Sequence, residues 1–468
     1  MDPNLTDDVA ASLGRAWVDD EPWSVVTALS RIDSRLGGSA GEREAASVVA
    51  SAFERAGVRD VSLDPFPTEV WTRGESRLEL LAPRSRRFDC LALPYAPAGE
   101  VEAGLVDVGH GTPREIRAAD VADAVVVAST TTPEGGRFIH RMEKYGTAVE
   151  EGAAGFVFVN HVPGQLPPTG SLRFDREGEI PAVGVSAETG AWLTEHAAES
   201  GTTGEYDTTG SDAPGEHDTA GSGRVRLSVE ATTDAGESQN VVGSLGPAAP
   251  DSAGGDLLLV AHYDAHDVGE GALDNACGVA CVVGAARLLD ATTLDRRVRV
   301  AAVGCEETGL VGAEHLADAL DLDDVAAVVN VDGAGRFRDL VAMTHASRET
   351  RDVAEAVSEA TGHPIRVKPE PHPFSDQWPF VRRLVPALQL HSDSGERGRG
   401  WTHTAADTRD KVDRRTLREH AVLTALLVRE LATRDPPRLD GEALRERFRT
   451  ADFEPGLRAA GLWPDEWG

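Results

Sequence analysis

The chain has 468 residues, 41% of them apolar, which is enough to bury a large core in two or three domains and excludes a disordered protein. It carries 78 acidic against 46 basic residues, a formal net charge of -32, with only Lys144, Lys368 and Lys411 as lysines. A surface this acidic repels polyanions, so neither nucleic acid nor an anionic membrane is expected as a partner.

Along the chain, Met1-Asp2-Pro3 opens without a basic or apolar leader, and nowhere do eighteen apolar residues run together, so neither a secretory leader nor a membrane span is expected. Trp23 to Gly57 reads as helices with a turn at Gly37-Gly38-Ser39, the second carrying Ala46, Val49, Ala50 and Phe53 at helical spacing. From about Gly99 to Leu193 come short β-rich runs, Val125 to Ala128 and Gly155 to Val159 among them, with one helical piece around Arg141 to Gly152. This reads as a small inserted module. Glu199 to Gly223 is rich in Gly, Thr, Asp and Ser and reads as a mobile loop.

From Asn240 the rhythm changes to strand Leu257 to Val260, helix Cys277 to Leu289, strand Val298 to Val303, helix Leu310 to Leu320 and strand Val325 to Val331. A strand near Ala387 to Leu390 and a long helix Arg414 to Arg434 follow. Alternation of continuous apolar strands with helices predicts an α/β fold, a mixed, mostly parallel central sheet with helices on both faces. The expected division gives residues 1–98 and 236–436 to one α/β domain. Residues 99–235 form the β-rich insert, and 437–468 are expected as a tail.

The chemistry-bearing residues gather at the strand ends, where open α/β sheets place their sites. His262 and Asp264 follow the Leu257 strand, and a carboxylate two residues from a histidine suits holding its second ring nitrogen. Alone, the pair reads equally as a polar loop start. Asp274 lies in the glycine-rich loop Gly269 to Asn275, as a bridging carboxylate or as a helix N-cap. Glu306-Glu307 follow the Val298 strand, and adjacent acids in a dry site raise each other's pKa unless a cation compensates them. Asp332 and His403 say little singly. Together these donors are the set of a hydrolytic metal site. His266, Asp267, His315, His345, His363 and His391 are left outside it, as none combines a strand end with a matching partner.

The stretches AHYDAHDVGEGALDNACGVA (261–280), GCEETGLVGAEHLA (304–317), NVDGAG (330–335), SDQWPF (375–380) and HTAADTRDKVD (403–413) resemble the co-catalytic di-zinc exopeptidases, which include aminopeptidase Y, bacterial leucyl aminopeptidases and glutamate carboxypeptidases. The insert is similar, more softly, to a protease-associated domain. The resemblance implies two zinc ions, with cobalt or manganese as alternatives. His262 and Asp332 would hold one, Glu307 and His403 the other, and Asp274 would bridge. It implies Glu306 as general base, Asp264 as the partner of His262, and a cis peptide at Asp274-Asn275. Hydrolysis of peptides follows as the expected activity, most directly by an aminopeptidase, with a carboxypeptidase or dipeptidase as the alternative and a non-catalytic receptor-like protein as the reading from another class. Some relatives carry a tyrosine near the last histidine that stabilises the oxyanion; here Trp401 and Thr402 precede His403, so that role is unassigned, and the arginines of the loop 393–400 read as solvated side chains or as binders of a substrate carboxylate. The acidic, lysine-poor surface suits molar salt, so a halophilic source of haloarchaeal kind is expected. A reducing cytoplasm is expected as well, the four cysteines lacking zinc-ribbon spacing.

Overall fold

The computed structural model describes residues 7–199, 223–248, 254–393 and 400–468. Residues 200–222 of the loop read as mobile, and the arginines Arg397 and Arg399, lie outside the described residues. Two compact units are present, Met1–Val70 with Ala235–Phe448, and Trp71–Asp234 with Arg449–Gly468.

In the first unit the sheet runs Ile365–Lys368, Leu340–Met343, Ala387–Ser392, Val325–Val331, Asp256–His262, Val298–Val303 and then the second half of Arg224–Leu245. The four strands from Ala387–Ser392 to Val298–Val303 are mutually parallel, and Arg224–Leu245 and Leu340–Met343 join antiparallel on either side. Leu257, Leu259 and Ala261 enter one apolar cluster with helices Glu21–Leu29, Ala40–Arg55, Cys277–Asp290 and Arg414–Ala432. Leu258 and Val260, on the other pleat face, are also buried, as a sheet covered on both sides requires. The segment Ala272–Asp290 is long and apolar enough to cross a membrane by length and composition, yet 89% of its apolar window is buried inside the protein. It is the core helix of this unit.

The second unit holds four parallel strands, Gly99–Asp107, Val125–Ser129, Gly155–Val159 and Ala182–Val185, with Leu91–Ala92 antiparallel at one edge. Helix Arg141–Glu150 packs against Glu454–Ala460, whose Ala459 carbonyl accepts from Arg173 Nη1 at 2.9 Å.

Two boundaries differ from the sequence reading. The insert begins at Trp71 rather than 99, because Arg59–Ala82 is one long strand that Pro65, Pro67 and its many charged residues disguise. The tail 437–468 is divided, since Leu444 and Phe448 are buried in the first unit while Leu457 and Trp463 are buried in the second.

Candidate metal centre

His262 ends the strand Asp256–His262 and is 1% exposed. Its Nδ1 lies 3.3 Å from Asp264 Oδ1. The same carboxylate accepts two backbone N–H groups, Glu306 N on Oδ1 and Glu307 N on Oδ2, both at 3.1 Å. Cys305, at φ +56°, turns the chain so that both amides point at Asp264. Below them the buried Glu42 accepts from Cys305 N at 3.0 Å, Gly38 N at 2.6 Å and Ser238 Oγ at 2.8 Å. The sequence pairs Asp264 with His262 alone, and it marks Glu42 only as the acid of the helix start Ser39-Ala40-Gly41-Glu42.

Asp274 sits in the turn Ala272–Ala276, and its peptide bond to Asn275 is cis. Asp407 accepts from Leu273 N at 2.7 Å and Asp274 N at 3.0 Å. Asn275 donates to the Val331 carbonyl and accepts from Gly278 N and Gly333 N, tying the turn to the strand end that carries Asp332. Arg35, 2% exposed, donates to the carbonyls of Leu29, Tyr263, Glu270 and Gly271. Asp407 and Arg35 carry no local signal, since most of their partners lie more than a hundred residues away.

The six residues singled out at the strand ends, and Asp274, converge. Asp274 Oδ1 is 3.4 Å from His262 Nε2, which is 3.7 Å from Asp332 Oδ1. Asp274 Oδ2 is 3.2 Å from His403 Nε2, which is 3.4 Å from Glu307 Oε2. Around a tetrahedral ion with bonds of about 2.0–2.1 Å, ligand atoms are separated by roughly 3.3–3.4 Å. The two oxygens of one aspartate thus face two separate histidine-carboxylate sets, with separations of 3.2–3.7 Å that lie close to that spacing. Glu306 groups with His262 and Asp332, their donor atoms within 4.8 Å of one another. It is partly exposed, whereas Glu307 is buried.

His266, which the sequence reading leaves outside the donor set for want of a partner, has one in the structure. Its Nε2 lies 2.9 Å from Glu307 Oε2. The loop folds back within four residues of the strand end, which strand-end counting does not register. Arg336, also unassigned, donates to Asp274 Oδ1 at 2.8 Å and Asp332 Oδ1 at 3.2 Å. Ser375 Oγ donates to Asp332 Oδ2 at 2.7 Å. Tyr263 is buried, with its hydroxyl on the Gln239 carbonyl, and so faces no substrate.

The electrostatics suit a cation. Burial holds the Glu306 carboxyl well above the usual range, Glu307, Asp332 and Asp376 adding to it against His262. Burial also raises Glu307 to about 7, with Asp274 and Asp264 adding and His403 and His262 opposing. Burial disfavours imidazolium at His262, yet Glu306, Asp264, Asp274 and Asp332 outweigh it and hold that ring well above its ordinary value. Burial opposes ionisation of Asp274 and Asp332 too, yet Arg336 with His262 and His403 holds Asp274 well below the ordinary range, and His262 with Arg336 does the same for Asp332, so the protons that a divalent cation would displace sit on Glu306 and Glu307.

Residues 240–428 match the sequence model of Peptidase family M28, and residues 86–193 that of the PA domain. Aminopeptidase YwaD of Bacillus subtilis is 26% identical over 306 residues, 64% of this chain and 57% of its own length. Leucine aminopeptidase 2 of Trichophyton equinum is 31% identical over 196 residues, 41% of this chain and 34% of its own. The chain spans about half the length of the first of these curated relatives and a third of the second. Among solved structures, a zinc aminopeptidase from Bacillus subtilis superposes with a TM-score of 0.65 at 22% identity, over 87% of this chain and 94% of that one. A Peptidase M28 precursor from Shewanella amazonensis gives 0.73 at 22% identity, over 92% and 98%. These likenesses establish the shared mixed α/β fold.

Proposed function

We propose that this chain is a zinc-dependent aminopeptidase of the M28 kind, holding two cations and removing N-terminal residues from peptides. The observation that carries the reading is the division of Asp274 between two donor sets, Oδ1 toward His262 and Oδ2 toward His403. His262 and Asp332 complete one set, Glu307 and His403 the other. When bound, the cations supply Lewis-acid polarisation of the scissile carbonyl and acidification of a water molecule.

The chain's own residues do the rest. Glu306, partly exposed and beside His262 and Asp332, takes the proton of the attacking water on its carboxylate and returns it to the leaving amine. Asp264 holds His262 through Nδ1 and fixes the backbone of both glutamates, so base and ligand move as one. Asp407 and Asn275 hold the turn that presents Asp274. With two cations bound, the charges of Asp264, Asp274, Glu306, Glu307, Asp332, Asp376 and Asp407 are nearly balanced by the ions with Arg35 and Arg336, so the choice of a free amino terminus rests on the aminopeptidase relatives.

The test is Glu306→Gln. Zinc content is expected to stay at two per chain while turnover on a free-amine peptide falls by about 10²- to 10⁴-fold; unchanged turnover refutes the assignment. Cleavage of N-blocked peptides at their C-terminus by the unaltered protein would replace the aminopeptidase reading with a carboxypeptidase one.

A further inference from the structure

The donor set around the second cation contains one group more than the five ligands described above. His266 Nε2 and His403 Nε2 approach the same Glu307 oxygen, at 2.9 Å and 3.4 Å. Their rings meet edge to face with centroids 4.6 Å apart. One donor atom each from His266, Glu307 and His403 lies within 4.8 Å of the others. All three, with Asp274 and Asp407, line a cavity of about 10 Å³, room for a single water or ion. His266 is 6% exposed, so it is packed at this point rather than displayed to solvent.

We propose that His266 is the fourth protein ligand of the cation held by Asp274, Glu307 and His403. This rests on the two-cation reading and goes beyond it. A histidine serving only to orient Glu307 needs one carboxylate oxygen and nothing else, whereas this ring also shares its cavity with His403 and Asp274. The consequence is a division of labour. With four protein ligands that ion would be the more firmly held of the two, while the ion at His262, Asp274 and Asp332 would have three and leave the readier position for the attacking water. Glu306 groups with His262 and Asp332, on the open side. A set with two imidazoles also prefers zinc over harder cations, so under a weak chelator this ion is expected to leave last.

The test counts imidazoles. In the cobalt-loaded protein, three exchangeable imidazole N–H protons are expected at paramagnetically shifted positions, one each from His262, His403 and His266, and two in His266→Leu. Chelator competition on the zinc form is expected to show one of two ions weakened by more than about 100-fold in His266→Leu, beyond what loss of an orienting partner produces. His266→Gln, able to donate an N–H to Glu307 but a poor zinc ligand, is expected to behave like His266→Leu. Two shifted protons in the unaltered protein, or two ions at undiminished affinity in His266→Gln, would overturn the proposal and leave the two-cation reading standing. An unaltered protein that binds no zinc would overturn both.

Discussion

Asp264→Asn tests the arrangement where three of its links meet. In the structure Oδ1 faces Glu306 N and His262 Nδ1, and Oδ2 faces Glu307 N. An asparagine has one acceptor oxygen, so its better orientation keeps the two contacts on Oδ1 and turns its NH₂ against the Glu307 amide. One hydrogen bond to a charged acceptor is lost and one buried N–H is left facing a donor, a loss of about 1.5–3 kcal/mol. The loss falls on Glu307, a ligand of the cation set with His403, rather than on His262. At about 1.4 kcal/mol per factor of ten this is roughly 10- to 100-fold in affinity for that ion, the range typical of groups that hold metal ligands. Chelator competition against zinc, with the two ions resolved, reads the effect directly, and turnover at limiting zinc falls with the occupancy of the weakened set. Both ions binding at unaltered affinity, with unaltered turnover, would refute the coupling of Asp264 to the glutamate pair.

Three further outcomes are expected. Arg35→Met leaves four buried carbonyls without their donor, so urea unfolding followed by tryptophan fluorescence should show a loss of about 3–5 kcal/mol, with Arg35→Lys recovering some of it. In the second unit burial lowers Lys144 to about 7 from an ordinary value of 10.5, against Glu115 and Glu143. A folded pKa below the unfolded one means the unfolded chain binds more protons between those values, so stability should rise as pH climbs from about 7 toward 10, by the order of a few kcal/mol. Hydrogen exchange of helix Arg141–Glu150, corrected for intrinsic rate, should slow over that window, and Lys144→Met should abolish the slope. For the net charge of -32, the urea midpoint should rise from low salt to about 2 M KCl; a midpoint independent of salt would sink the halophile expectation.

The legible portion of this site is the portion written next to apolar strands. His262, Glu306, Glu307 and Asp332 each follow a buried parallel strand, and such a strand shows in sequence as an unbroken apolar run. The alternation that places them also announces the sheet itself. What escapes is of two kinds. Arg35, Glu42 and Asp407 act on backbone groups brought close only by folding, so no spacing marks them for that role. Arg59–Ala82 escapes because its burial does not alternate cleanly and it contains prolines, which conceal where the insert begins. His266 is visible as a residue but not as a donor, because its partner Glu307 lies on the next strand's loop.

The adjacency of Glu306 and Glu307 has a structural reason. Neighbouring side chains leaving one turn point in different directions, and here one is buried among the donors around His403 while the other stays partly exposed beside His262. Their backbone amides are both bound to Asp264, which also holds His262. A single carboxylate therefore sets the distances among His262, Glu307 and Glu306, the proposed ligands of the two sets and the proposed base. Moving the base alone would require breaking a hydrogen bond to Asp264, and moving Asp264 would shift all three. A site built this way holds its reacting geometry before substrate arrives, which is the condition for a positioned base to contribute its full effect.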